Sequence, residues 1–538
     1  MLPFDLPAAD PDAAPAFLSA SDARAWVSRL QLTNIQAAYL ALATELEKLN
    51  RTQLAARDRL AVMEALRETL EYVQREHGKR LLGKPLPLSE RDTRVLGELT
   101  ALWQSLQMAY GHCLVAAIQG DPGLRDSKAL LCHRCLGAVA REMTEYVRLS
   151  YEFDPELWRK LNGIYAIADQ LEVAKVPLAE PGGPERSCQE TYVRILLTCQ
   201  ANPYEFTRRQ LALVDRWLDR WGKLVSLSPA APRSGESAPP LEVNLSAAAG
   251  LRSQQSTGFS TSIRYLDMSE ISKELRVKTV LLSQGQSPEN LELGTDCGES
   301  ECIELLGRLH RQWCEGTSAR MLERTRSRGT AQVCFGLAAA HYHVTGRPFR
   351  QPRKGGELTE REQREIAALG HKGSEAARPS REQLGSLGLE IWNVEDRSAL
   401  GLRLMLREET GERITANRLI AAMPSDSNRY SLGVVRWVMV RRDGQLRAGV
   451  RTLPGDPVPA AVRATGINVS QGEKYIPAML LPAIPAVQIP ASLILPNGWF
   501  APKRVLDLHT DAAGTEKVML EYLIERGLDY ERVSFQKA

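Results

Sequence analysis

Apolar positions along the chain follow two periods, and the change between them divides the sequence. From about residue 21 to 228 they recur every three to four residues. Leu96, Leu99, Trp103, Leu106 and Tyr110 share one side of a 3.6-residue helix, as do Leu211, Val214, Trp217, Leu218 and Trp221. Such stripes predict core rather than a cofactor box. Ser89, before Glu90-Arg91-Asp92, predicts the N-cap of the first helix. The Pro-, Ser- and Ala-rich run from Ser228 to Pro240 predicts an interdomain linker. Two strand-like runs follow, Leu241 to Leu245 and Ser262 to Leu266, and helical patterns resume from about 268 to 323.

After Arg328 the period becomes two. Val333 and Phe335, then His341 and His343, predict a strand pair. Residues 347–387 are polar and predict an inserted loop or exposed helix. Strand signals return at 389–394, 400–406, 413–421 and 434–440, the last followed by Arg442-Asp443-Gly444-Gln445, a hairpin turn. Short β segments broken by proline fill 456–505, and Glu516 to Arg526 predicts a terminal helix. The pattern therefore predicts an α+β multidomain chain. An N-terminal all-α domain spans 1–228, and a linker with a mixed α/β connecting segment spans 229–318. A small antiparallel β-barrel follows at 319–455, then a β-rich C-terminal extension with its terminal helix at 456–538.

Charge changes this picture in one respect. The 538 residues carry 68 Lys and Arg against 65 Asp and Glu, a formal charge of +3. That balance excludes a polybasic coat and predicts no DNA partner, but it leaves room for a local basic site. Nine cysteines, thinly spread, do not form a disulfide framework and predict buried free thiols. The run from Ile476 to Phe500 is long and apolar, but its five prolines exclude a regular helix. No transmembrane helix and no secretory leader is predicted, which points to the cytoplasm.

Most motifs fail on context. Gly78 to Lys84 has the spacing of a phosphate loop, but Pro85 stands where the metal-ligating hydroxyl belongs. Cys132-His133-Arg134-Cys135 is a single CxxC within helical sequence, short of the four ligands a zinc site needs. No nucleophile elbow, metalloprotease helix or dinucleotide fingerprint is present. The expectation is a non-enzyme without catalytic residues, metal or cofactor.

Two signals survive. Arg320, Arg324, Arg326 and Arg328 crowd the entrance to the β region, and Asp396-Arg397-Ser398-Ala399-Leu400-Gly401 occupies a bend between strands. Guanidinium forks bind phosphate oxygens and guanine O6 and N7 bidentately. A carboxylate accepts from guanine N1–H and N2–H₂, a hydroxyl adds a further bond, and glycine allows close backbone approach. Together they suit a compact anion that carries guanine.

Arg324-x-x-x-Arg328 followed by Asp396-x-Ser398-x-x-Gly401 resembles the signature of the PilZ domain family, the bacterial cyclic di-GMP receptor barrel. Leu432 to Trp437, Gly444 and Gly449 resemble that barrel's closing strands. The likeness covers about 319–455 and implies a PilZ-like antiparallel β-barrel. It departs from the family where Gly329 replaces an aliphatic residue and where the 347–387 stretch widens the gap between the half-motifs. By resemblance, Arg324 and Arg328 grip phosphates and guanine edges, Asp396 and Ser398 hydrogen-bond a guanine, and Gly401 keeps the turn open beneath it. Arg320, Arg326 and Arg397 are adjacent candidates. The implied protein is a cyclic di-GMP effector in motility, pilus, polysaccharide or biofilm control. Its arginine loop orders on binding, and its helical domain meets an unidentified protein partner. The alternative is a protein-interaction scaffold whose barrel does not bind.

Overall fold

The computed structural model describes residues 4–179, 184–232, 240–254, 260–315, 325–352, 387–398, 400–406, 414–465 and 474–538. The chain divides into two compact units, Met1–Met321 with Val440–Gly444, and Leu322–Met439 with Gln445–Ala538.

The first unit begins with the helices α1 (Ala20–Val27), α2 (Ile35–Arg51), α3 (Ala56–Gly78), α4 (Glu90–Ile118), α5 (Lys128–Arg148), α6 (Glu156–Gln170), α7 (Cys188–Gln200) and α8 (Arg208–Trp221). Their starts are written in the sequence. Ser89 Oγ accepts from the Asp92 N–H, and complete capping boxes open α7 (Ser187 with Glu190) and α8 (Thr207 with Gln210). Next come β1 (Ser226–Ser228), β2 (Leu241–Asn244), β3 (Arg252–Ser253), β4 (Ile263–Asp267), α9 (Ser269–Ser283) and α10 (Glu299–Cys314).

This second stretch is not a connector. β1 and β2 both pair with β4, so the strands that flank the Pro- and Ser-rich run belong to one sheet rather than to two domains; residues 233–239 lie outside the described residues. One continuous core runs from Phe17 to Trp313. Its buried tryptophans are satisfied across that boundary: Trp217 Nε1 donates to the Leu293 carbonyl and Trp313 Nε1 to the Leu197 carbonyl, each at 2.9 Å. Cys297 and Cys302 form a disulfide, against the expectation of free thiols throughout.

The second unit contains β5 (Thr325–Arg326), β6 (Thr330–Phe335), α11 (Leu337–Thr345), β7 (Glu390–Ser398), β8 (Gly401–Leu406), β9 (Leu419–Pro424), β10 (Ser431–Val440) and β11 (Leu446–Thr452). The strand order is β7-β6-β9-β10-β11-β8; β8 returns to β7 and closes a barrel, with β5 as an extra partner of β7. The predicted strand at His341 and His343 is helical. Gly336 and Gly346, both at positive φ, bracket an Ala-rich segment of high helix propensity.

A second closed barrel follows: β12 (Val458–Ala464), β13 (Ile476–Leu481), β14 (Ser492–Leu495), β15 (Val505–Thr510), β16 (Gly514–Arg526) and β17 (Glu531–Lys537), in the order β12-β13-β14-β17-β16-β15. The predicted terminal helix is the strand β16. Val518 and Leu520 point inward at period two, while Tyr522 and Ile524 lie exposed, and pairing with both β15 and β17 outweighs the local helical pattern. Tyr530 of the second barrel joins Leu337, Ala340, Leu419 and Leu432 of the first in one buried cluster. Among the described residues, no helix is long and apolar enough to cross a membrane.

Candidate ligand-binding site

The surviving motif falls on two β-bulges in the first barrel. β5 and β6 run as one interrupted strand against β7. Arg326 opposes Asp396 and Thr330 opposes Asn393, so Ser327, Arg328 and Gly329 face only Val394 and Glu395. The extra residue is held by two backbone bonds, Ser327 N–H to the Glu395 carbonyl at 3.0 Å and Val394 N–H to the Gly329 carbonyl at 2.8 Å. Arg328 therefore projects from a bulge and is exposed. Glycine suits position 329, where a Cβ would press on Ser425 Oγ at 3.0 Å.

The second bulge lies between β7 and β8. Val394 pairs with Leu404, but Asp396 pairs with Arg403, leaving Glu395 as the extra residue. Without it, Asp396 would continue the inward series of Trp392 and Val394. With it, Asp396 shares the outer face with its cross-strand partner Arg403, whose Nη1 lies 3.2 Å from the Asp396 carboxylate. Ser398 opposes Gly401 in the same phase. Arg326, Asp396 and Arg403 thus form a row across three strands, with Ser398 one step along. The row continues to Gly449, which opposes Arg403 and lies under the Trp437 indole.

The charges in this row do not cancel. Asp396 is taken by Arg403, whereas Arg326 and Arg328 are exposed without a side-chain partner among the described residues. The exposed Arg326 and Arg328 guanidinium groups therefore add positive charge beside the Asp396–Arg403 ion pair.

Comparison with known proteins places parts of the chain in a family. The model for the middle PilZ domain of the cyclic-di-GMP receptor FimW matches residues 243–386. This chain contains a PilZ domain. The model for the N-terminal domain of the same receptor matches 21–232, and that for the FimW C-terminal beta-barrel domain matches 460–538. The cyclic-di-GMP receptor FimW of Pseudomonas aeruginosa is 23% identical over 521 residues, covering 88% of this chain and 84% of that protein. The middle match ends before Asp396, so the second half-motif is placed by the strand register of the first barrel rather than by that match.

The other candidates divide. Arg320 and Arg324 lie outside the described residues. Arg397 alternates away from the Asp396 row, opposes Thr325, and is bound to Asp426 at 2.6 Å. Gly401 has a packing reason of its own, since a Cβ there would collide with the Val450 carbonyl oxygen and open the β8–β11 ladder.

Sequence reasoning missed Arg403 and Trp437 as members of this face. The signal for Arg403 was available, because a two-residue hairpin pairing Ser398 with Gly401 places Asp396 opposite Arg403 by counting. Cys132 and Cys135 are both buried on α5, and burial pushes the Cys132 thiol up to about 12.

Proposed function

We propose that the chain is a cyclic di-GMP-binding effector. The PilZ barrel, taken as residues 319–455, holds the ligand on its outer face, and occupancy is converted by domain rearrangement into a protein output carried by the helical unit. The observation that carries this reading is the exposed Arg326 opposite Asp396, itself paired with Arg403, with the exposed Arg328 two residues along on the adjoining bulge, neither arginine having a side-chain partner among the described residues. The name of the Pseudomonas relative and the PilZ match support the same ligand.

In this reading Arg324 and Arg328 bind phosphates and guanine edges, with Arg320 and Arg326 adding positive charge. Asp396 accepts from guanine N1–H and N2–H₂, and Ser398 adds a hydroxyl bond. Gly401 keeps the turn close to the barrel so that a base can lie over it. Arg397, held by Asp426, contributes least.

Calorimetric titration of the full chain with cyclic di-GMP tests this. Saturable binding at micromolar concentration is expected. No detectable heat at tens of micromolar would overturn it and leave the scaffold with a non-binding barrel.

A further inference from the structure

The helical unit contains a cleft of about 450 Å³ bounded by α3, α4, α5, α7 and α8. It exists because α5 presents small residues there, Gly137, Ala138 and Ala140. A Cβ added at Gly137 would meet nothing within 4 Å, so the space continues to the helix backbone. Cavities of a few hundred Å³ lined by convergent polar groups are the usual setting of a small-ligand site.

Five arginines line it in two groups. Arg67 of α3 and Arg134 and Arg141 of α5 stand on one wall, and Arg186 and Arg194 stand at α7 on the other. The acids that line the cleft are Glu71, Asp215 and Asp219, and Glu64 behind it holds Arg134 at 2.9 Å and Arg67 at 3.6 Å, so the five cations exceed these four acids by one. Asp215 and Asp219 hold Arg194 at 2.6 and 2.5 Å from half-exposed positions, 46% and 38%. Such carboxylates can turn to solvent when a competing anion enters. Arg141 is 55% exposed, reaches Glu71 only at 3.8 Å, and rests over the Trp103 ring. Trp103 Nε1 is buried at this cleft with no hydrogen-bond partner among the described residues.

We infer that this cleft is a second ligand site, for a small organic anion carrying two oxyanion groups, one for each arginine wall. The shared chemistry is phosphate or carboxylate. The site is independent of the barrel and does not rest on cyclic di-GMP recognition.

The test is calorimetric titration of the full chain with pyrophosphate and with succinate, with inorganic phosphate and acetate as single-group controls. At least one two-group anion should bind tenfold or more tighter than its control. Pyrophosphate alone would assign a phosphate ligand, and succinate alone a carboxylate ligand. Gly137→Leu, which fills the open space, and Arg141→Ala, which removes an exposed side chain, should each weaken binding tenfold or more, whereas Arg328→Ala in the barrel should leave it unchanged. Three results overturn the inference: no binding of either anion at millimolar concentration, binding undiminished in both cleft variants, or binding lost in Arg328→Ala, which would place the anion on the barrel.

Discussion

The two barrels each carry one cross-strand Asp–Arg pair, and the pairs look alike. In the PilZ barrel Asp396 of β7 opposes Arg403 of β8 at 3.2 Å; in the C-terminal barrel Asp507 of β15 opposes Arg463 of β12 at 2.6 Å. Both aspartates are buried, at 9% and 7% exposure. What differs is the surroundings. Arg463 lies over the Tyr475 ring, its centroid 4.8 Å away. Asp396 and Arg403 instead have Arg326 and Arg328 beside them, delivered by a bulged strand that can re-aim a side chain. An ion pair on a barrel therefore does not separate the two; the exposed arginines beside one of them do.

The largest expected effect separates the two barrels by ligand affinity. Arg328→Ala should weaken cyclic di-GMP binding by about 10- to 100-fold, the value of one or two charge-assisted hydrogen bonds. Arg463→Ala should leave affinity unchanged and appear only in thermal stability. Equal losses in the two variants would erase the distinction.

Next is the pair of aspartates. Asp396→Ala should cost affinity, because guanine loses its acceptor and Arg403 is freed. Asp507→Ala should cost stability, on the order of 1–3 kcal/mol, by leaving Arg463 without its carboxylate, with no change in binding. Denaturant melts and titrations on both variants check this.

Glycine gives a smaller contrast. Gly401→Ala should destabilise the PilZ barrel by about 1–3 kcal/mol, since its Cβ meets the Val450 carbonyl oxygen, a backbone atom. Gly514→Ala in the second barrel has open space, so only its positive φ opposes the change and about 1 kcal/mol is expected.

The smallest effect is on pH dependence at the junction of the barrels. Burial raises the Asp529 carboxyl above its ordinary value, although the Leu419 N–H, donating at 2.9 Å, and Arg418 oppose this. A carboxyl raised on folding binds its proton more tightly in the native state, so its contribution to stability is present at low pH and lost as pH rises through the folded value. Asp529→Asn should therefore gain melting temperature relative to the parent as pH rises from about 4 toward neutrality. A constant difference would show that the burial has no electrostatic consequence.

The barrels also show what the sequence made legible. Period-two runs located most strands of the PilZ barrel, and the spacing of Asp396, Ser398 and Gly401 placed those residues together on a hairpin. Strand register settled what spacing could not. The bulge at Glu395, which sets Asp396 on the same face as Arg403 while leaving it buried, has no composition signal, because Glu395 differs from an ordinary strand residue only in its pairing. β16 was hidden for a related reason. Its apolar residues occupy both faces, so a local pattern reads as helix until barrel closure decides. The apparent hinge at 228–240 has linker composition, yet its flanks are joined by β4, a contact made more than twenty residues later in sequence.

The most direct measurement is cyclic di-GMP titration, by calorimetry, of three full-length proteins: the parent, Arg328→Ala and Arg463→Ala. The account predicts saturable binding by the parent and by Arg463→Ala with the same affinity, and binding at least tenfold weaker by Arg328→Ala. Undiminished affinity in Arg328→Ala would contradict it.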